Sequence, residues 1–212
     1  MKRRPPGAAG ADPVLHRVRV EFRKEGPARF LSHLDLQAAM ERALRRARVP
    51  LAFSRGFHPR PRMVFEEALP LGWASERERC WVDLAEAWPT AELERRLRAT
   101  LPAGLILLRA FPDPGRPRLP ERRFFEVRWP EDGALQGLRE ALRELAEGDP
   151  PPVELLEEEP GRVVLAFRQG GRPSPRRFLL ALGGEESLGR CRILRLADAR
   201  PRPGESGQED RP

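Results

Sequence analysis

GPARFLSHLDLQAAMERALRRARVPLAFSRGFHPRPRMVFEEALP, residues 26–70, holds a helix start, a basic helix and a proline-rich basic loop in immediate succession. Ser32-His33-Leu34-Asp35 has the spacing of a capping box, in which a serine hydroxyl accepts from an amide of the first turn and an acid three residues on reaches back. Leu36, Met40, Ala43, Leu44 and Ala47 then recur at helical spacing, and Pro50, which cannot continue a helix, closes it. That apolar stripe leaves Arg42, Arg45, Arg46 and Arg48 on the open sides. Between Ala28 and Arg62 there are eight arginines and two acids, a net +6, in a chain whose total is +7. A solvated helix face mixes its signs, so a segment that concentrates nearly the whole excess is where the sequence predicts contact with a polyanion.

Upstream, residues 16–24 alternate, with Val18, Val20 and Phe22 on one face and Arg17, Arg19, Glu21 and Arg23 on the other, as a half-buried strand requires. Gly26-Pro27 turns the chain into the helix. Downstream of the loop, Met63 to Phe65 reads as a short strand and Leu-Pro-Leu-Gly at 69–72 as a turn. A strand runs through Cys80, Val82 and Leu84, a helix over 90–100 with Thr90 as cap, and a nearly continuous apolar strand over 105–111 that reads as central in its sheet. Strand, helix, strand, strand, helix, strand is the ferredoxin-like order. The linker PDPGRPRLPER, residues 112–122, follows, and then the same six elements return: strand 124–129, helix 134–146, hairpin 153–156 and 163–167, helix 174–182, a glycine turn at 183–189 and strand 191–196. The predicted class is α+β, two tandem ferredoxin-like (βαββαβ) halves at 14–111 and 123–198. Residues 1–13 and 199–212 carry no apolar period and read as disordered tails.

No apolar run approaches the roughly 18–20 residues of a membrane span, and the N-terminus lacks a signal peptide's apolar stretch, so the expected location is cytoplasmic, with no membrane contact. Cys80 and Cys191 stand alone, which gives neither a disulfide framework nor a clustered metal site, and no cofactor is expected. Only Lys2 and Lys24 among the 39 basic residues are lysine, and tyrosine is absent, a bias typical of GC-rich genomes. Bulk basicity therefore says less about partners than the local cluster does. There is no phosphate-loop lysine motif and no Gly-x-Gly-x-x-Gly, and Glu157 to Glu159 form a solvated run. These enzyme signatures are weak or missing, which favours a noncatalytic role and leaves His33 and His58 as the open catalytic candidates.

The candidate phosphate- or RNA-binding residues are Arg29, His33, Arg45, Arg46, Ser54, Arg55, Phe57, His58, Arg60 and Arg62. Hydroxyl and guanidinium donors suit phosphate oxygens, and Phe57 offers a face on which a base can stack. His33 lies in the first helical turn, where the cap has no need of it and where a helix N-terminus can hold an anion. Helix capping alone accounts for Ser32 and Asp35, and packing beside the prolines is the plain alternative for His58. The sequence leads to the expectation that the helix start and the 54–62 loop converge on one phosphate-bearing ligand.

The Arg29-Phe30-Leu31-Ser32-His33-Leu34-Asp35 run, the Arg42-Ala43-Leu44-Arg45-Arg46-Ala47 helix, Pro50, Ser54-x-Gly-Phe-His-Pro and Leu69-Pro-Leu-Gly72 resemble the radical SAM-linked protein family. This is a bacterial domain of unknown function found fused to, or encoded beside, a radical S-adenosylmethionine enzyme. The resemblance is specific over residues 18–85. It implies an accessory role, with the radical enzyme as a separate chain, because no Cys-x-x-x-Cys-x-x-Cys site is present here. Position 53 is phenylalanine where that family commonly has tyrosine, so a role needing the hydroxyl is absent. The paired ferredoxin-like pattern is also similar to the RNA-binding proteins associated with CRISPR repeats. Together these imply a noncatalytic RNA-binding module that presents rRNA or tRNA to a radical SAM enzyme. The alternatives are a metal-independent ribonuclease using His33 or His58 as general base, and a protein–protein adaptor for the radical enzyme.

Overall fold

The structure, a computed structural model, describes residues 16–55, 57–67, 69–115, 120–129, 138–145 and 151–197. Both predicted tails, and parts of the predicted linker and of the 134–146 helix, lie outside the described residues. Strand β1 (His16–Lys24) is paired antiparallel on one side with β3 (Ala74–Leu84) and on the other with β4 (Leu105–Pro112), while β2 (Met63–Phe65) pairs with the far edge of β3. Val18, Val20 and Phe22 face α1 (His33–Arg46) and α2 (Thr90–Thr100) in one buried core. Leu36, Met40 and Leu44 enter that core at 4% exposure or less, each contributing about 1.5–3 kcal/mol of apolar burial. The helical stripe read from the sequence is thus the buried face of α1.

The second half repeats the plan with β5 (Arg122–Arg128), α3 (Leu138–Leu145), β6 (Val153–Glu159), β7 (Arg162–Arg168), α4 (Pro175–Arg190) and β8 (Arg192–Arg195). Its core is built on Phe125, Val127, Leu165, Phe167, Phe178 and Leu179. Strand order is β4-β1-β3-β2 in the first half and β8-β5-β7-β6 in the second, so each half sets its strands in the order fourth, first, third, second. The fold is a mixed α+β one, with four helices on a single eight-stranded sheet among the described residues.

The halves join because β3 is longer than the apolar alternation at Cys80, Val82 and Leu84 indicated. Its first residues pair in parallel with β8, Ala74 against Leu194 and Ser75 against Arg195. Glu78 lies opposite Phe22 in the register, on the helix side of the sheet, and is only 2% exposed. Its partner comes from the other half: Arg195, 5% exposed, donates from Nη2 to Glu78 Oε1 at 2.8 Å and to the Arg77 carbonyl at 3.1 Å. Glu66 lies 3.7 Å from the same guanidinium, and buried Lys24 donates to the Leu31 carbonyl at 3.1 Å. Burial pushes the Glu78 carboxyl up, against the pull of Arg195, and burial likewise holds Lys24 below the usual lysine range.

Four sequence expectations are corrected. Strand β4 is the edge of the sheet rather than its centre, and Ile106 is 43% exposed. Thr90 is the first residue of α2 and Pro89 occupies the cap without a side-chain bond. The glycines at 183, 184 and 189 do not make a turn, since α4 runs through them to Arg190; each costs a helix about 1 kcal/mol relative to alanine, offset by the burial of Phe178 and Leu179 near its start. Helix α1 stops before Pro50, by a left-handed Arg48 (φ 55°) and a bond from the Val49 amide to the Leu44 carbonyl.

Arg195→Met strands a buried carboxylate, and is expected to cost about 3–5 kcal/mol near neutral pH. A carboxyl whose folded pKa is raised favours the fold most when protonated, and that contribution is lost as pH rises through the folded value. Urea unfolding of wild type and variant at about pH 4.5 and 7.5 should therefore show a smaller deficit at the acid value.

Candidate functional site

Beyond the left-handed Arg48, the chain returns along the edge of β3. Leu51 bridges to Leu84, and the Ala52 amide donates to the Asp83 carbonyl at 2.9 Å. The chain then leaves the sheet and comes back as a narrow finger. Phe53 bridges to Pro61, the Ser54 amide donates to the Arg60 carbonyl at 2.8 Å, and the Arg60 amide donates to Ser54 Oγ at 3.0 Å. The Arg62 amide reaches the Ala52 carbonyl at 2.9 Å, and the Asp83 amide then donates to the Arg62 carbonyl at 3.0 Å. These bonds pin the base of the finger, so residues 54–60 stand off the sheet on a fixed root. Gly56 lies outside the described residues.

Arg55, His58 and Arg60 are exposed on this finger, and Phe57 is as open as in a free chain, at 101% exposure. The root meets the second half of α1, where the Arg45 guanidinium lies 5.1 Å above the Phe53 ring while Glu41 holds it at 2.8 Å. Arg46 turns the other way and donates to the Thr100 carbonyl at 2.5 Å, satisfying the C-terminal end of α2. Arg42, Arg48 and Arg60 form no side-chain hydrogen bond or ion pair among the described residues.

The remaining candidates have partners of their own. Arg62 Nε sits 3.1 Å from Asp83 Oδ2, and Arg17 Nε sits 2.6 Å from Oδ1 of the same buried carboxylate, so Arg62 ties the finger to the sheet. His33 is half-buried, its ring edge-on to Phe65 at 5.7 Å and its Nε2 2.9 Å from Gln37 Nε2. The capping box beside it is formed in both directions, Asp35 N to Ser32 Oγ at 3.2 Å and Ser32 N to Asp35 Oδ2 at 3.3 Å. Arg29 lies on a 3-10 turn (Gly26–Phe30) ahead of the helix, its guanidinium 4.9 Å above the Phe30 ring. The finger's contact is thus with Arg45, twelve residues beyond His33 and about 18 Å along the helix axis. Arg45 at the helix end meets Phe53 at the root of the loop, and His33 at the helix start meets Phe65 and Gln37.

Two features had no sequence signal. Phe53 forms the aromatic floor under Arg45, and Arg176, on α4, shares a cavity wall with Arg29 that only the tertiary fold creates. Among the described residues no three His, Cys, Asp or Glu side chains cluster as metal ligands would. Burial pushes the thiols of Cys80 and Cys191 up, the wrong direction for a nucleophilic thiolate. No described helix is long and apolar enough to cross a membrane.

Stability should separate the two kinds of arginine and aromatic here. Phe57→Ala and Arg60→Ala are expected to stay within about 0.5 kcal/mol of wild type in urea unfolding, whereas Arg62→Ala should lose about 1–3 kcal/mol with its bond to buried Asp83.

No curated protein matches the chain. A crystal structure of an unknown protein from Galdieria sulphuraria is similar at 15% identity and TM-score 0.29, over 84% of this chain and 95% of that one. Residues 17–122 match the profile of a family described as uncharacterized protein conserved in bacteria, DUF2344. That segment carries the basic helix, the finger and the Leu-Pro-Leu-Gly turn, and the chain belongs to this family of uncharacterized bacterial proteins.

Proposed function

We propose that this protein is a noncatalytic RNA-binding module, with the finger at 54–60 and the adjoining end of α1 as its contact surface. The observation that carries the reading is Phe57, a fully exposed ring on a backbone-pinned finger with Arg55, His58 and Arg60 beside it. A ring without packing partners adds nothing to the fold, but it offers a stacking face to an unpaired base. Arginines around it would neutralise the phosphates on either side. Phe53 with Arg45 above it makes a second aromatic–guanidinium step at the root of the finger. His58 has no side-chain hydrogen bond among the described residues, which suits a contact residue better than a general base held in position.

The strand order of each half supports a tandem ferredoxin-like architecture, similar in outline to the CRISPR repeat-associated RNA-binding proteins. Fold alone does not give function, so the surface carries the reading. A structured RNA such as rRNA or tRNA is the proposed ligand, and a separate radical SAM enzyme in the cytoplasm the proposed recipient. That last partnership rests on the sequence resemblance of residues 18–85.

Filter binding with total cellular RNA at two salt concentrations tests this directly. Wild type should bind more weakly as salt rises. Arg42→Gln/Arg48→Gln/Arg60→Gln should flatten the logarithmic salt slope by about 2, at roughly 0.7 per phosphate contact on a single strand. Phe57→Ala should lose about 1–3 kcal/mol of affinity while keeping the slope. RNA that fails to bind at low salt, or binds both variants as it binds wild type, would leave the finger as a protein-docking element.

A further inference from the structure

The Leu-Pro-Leu-Gly turn has no part in the RNA surface, yet it helps to line an open cavity of about 410 Å³ between the two halves. The first half contributes the 3-10 turn and this turn, and the second half contributes α4 and β8. The volume is of the size that takes a small organic ligand. Two guanidiniums, Arg29 and Arg176, stand on its wall, and no carboxylate is among the described residues that line it. The rest of the lining is mostly apolar, with Leu71, Trp73 and Ile193 prominent.

Arg29 is placed rather than loose. Its carbonyl accepts the Gly72 amide at 2.8 Å, and its guanidinium lies over Phe30. Gly72 holds the turn at φ +85°, a conformation that other residues rarely adopt, so the turn and Arg29 are built together. The Arg29 Nε is buried with no hydrogen-bond acceptor among the described residues. Buried donors normally find an acceptor, and a ligand oxygen on this wall supplies the missing one. A second cavity of about 380 Å³ shares Trp73 and Arg176 with the first, leaving room for a ligand to extend past the indole.

We propose that this cavity is a binding site for a small organic anion, a flat apolar body carrying a phosphate or a carboxylate. The anionic group pairs with Arg29 and Arg176, and the body lies against Leu71, Trp73 and Ile193. The site is independent of the RNA surface, because none of its walls belongs to the finger or to the end of α1.

Isothermal titration calorimetry of the full chain tests the proposal with 1-naphthyl phosphate and 1-naphthoate, against 1-naphthol and inorganic phosphate as controls. The tighter of the two aromatic anions identifies the headgroup, and both controls should bind at least about tenfold more weakly, the worth of one charge-assisted bond. Arg29→Gln and Arg176→Gln should each weaken the anion by about tenfold or more. Gly189 lines the cavity, and a Cβ built there meets nothing within 4 Å, so Gly189→Leu should fill the site and abolish binding with the melting temperature kept. The proposal is overturned if neither aromatic anion binds, if 1-naphthol binds as tightly as they do, or if Gly189→Leu binds like wild type. The leucine variant decides the matter even where an arginine substitution disturbs folding, and RNA binding by the same variant should be unchanged.

Discussion

One guanidinium, that of Arg195, meets the residues on which the union of the two halves depends. The parallel pairing of β3 with β8 spans only Ala74 to Leu194 and Ser75 to Arg195, too short a ladder to fix two bodies by backbone bonds alone. Arg195 adds contacts to Glu78 and to the Arg77 carbonyl, and stands near Glu66 beyond the end of β2. Each of these charges is buried, so a shift of register would leave at least one of them without a partner. Buried ion pairs contribute little net stability but penalise the wrong arrangement heavily, which is what a short junction requires. The polar beginning of β3, Ser75 to Arg79, is therefore the sequence of a seam.

The same principle orders the sheet face away from the helices. Opposed residues of β1 and β3 there are Arg17 with Asp83, Arg19 with Trp81 and Glu21 with Arg79. Strand alternation assigns these positions to water, yet Glu21 is 2% exposed, because Arg19, Arg79 and Arg109 approach it at 3.4, 3.5 and 2.8 Å. Arg19 also lies 4.3 Å over the Phe111 ring. Arginine suits such a layer, since its plane stacks on aromatics while its edges bind carboxylates. Much of the basic composition is consumed inside the fold in this way, and a whole-chain net charge of +7 says little about what the surface offers a partner.

What the sequence made legible was local. The capping box needs only residues 32 to 35, and the apolar stripe of α1 needs only its own period; both formed as read. The misreadings came from features that look alike before the chain is folded. An apolar run such as Leu105 to Leu108 suits a central strand, but it also suits an edge strand that buries Leu105 and Leu107 and leaves Ile106 to solvent. Glycines at 183, 184 and 189 suit a turn, but a helix already anchored by Phe178 and Leu179 tolerates them. The cavity wall shared by Arg29 and Arg176 had no local signature at all, since the two meet only across the junction.

Arg60 and Arg62 bring the matter to a single pair. They are chemically identical, flank one proline and counted equally in the basic cluster. Arg62 stands where the returning strand rejoins β3, and the buried Asp83 carboxylate takes its side chain. Arg60 closes the finger through its backbone amide and carbonyl alone, so its guanidinium remains outside the fold's own pairing among the described residues. The charge available to a partner is what is left after intramolecular acids have taken theirs, and in the first half that remainder includes Arg42, Arg48 and Arg60, on the helix end and the finger.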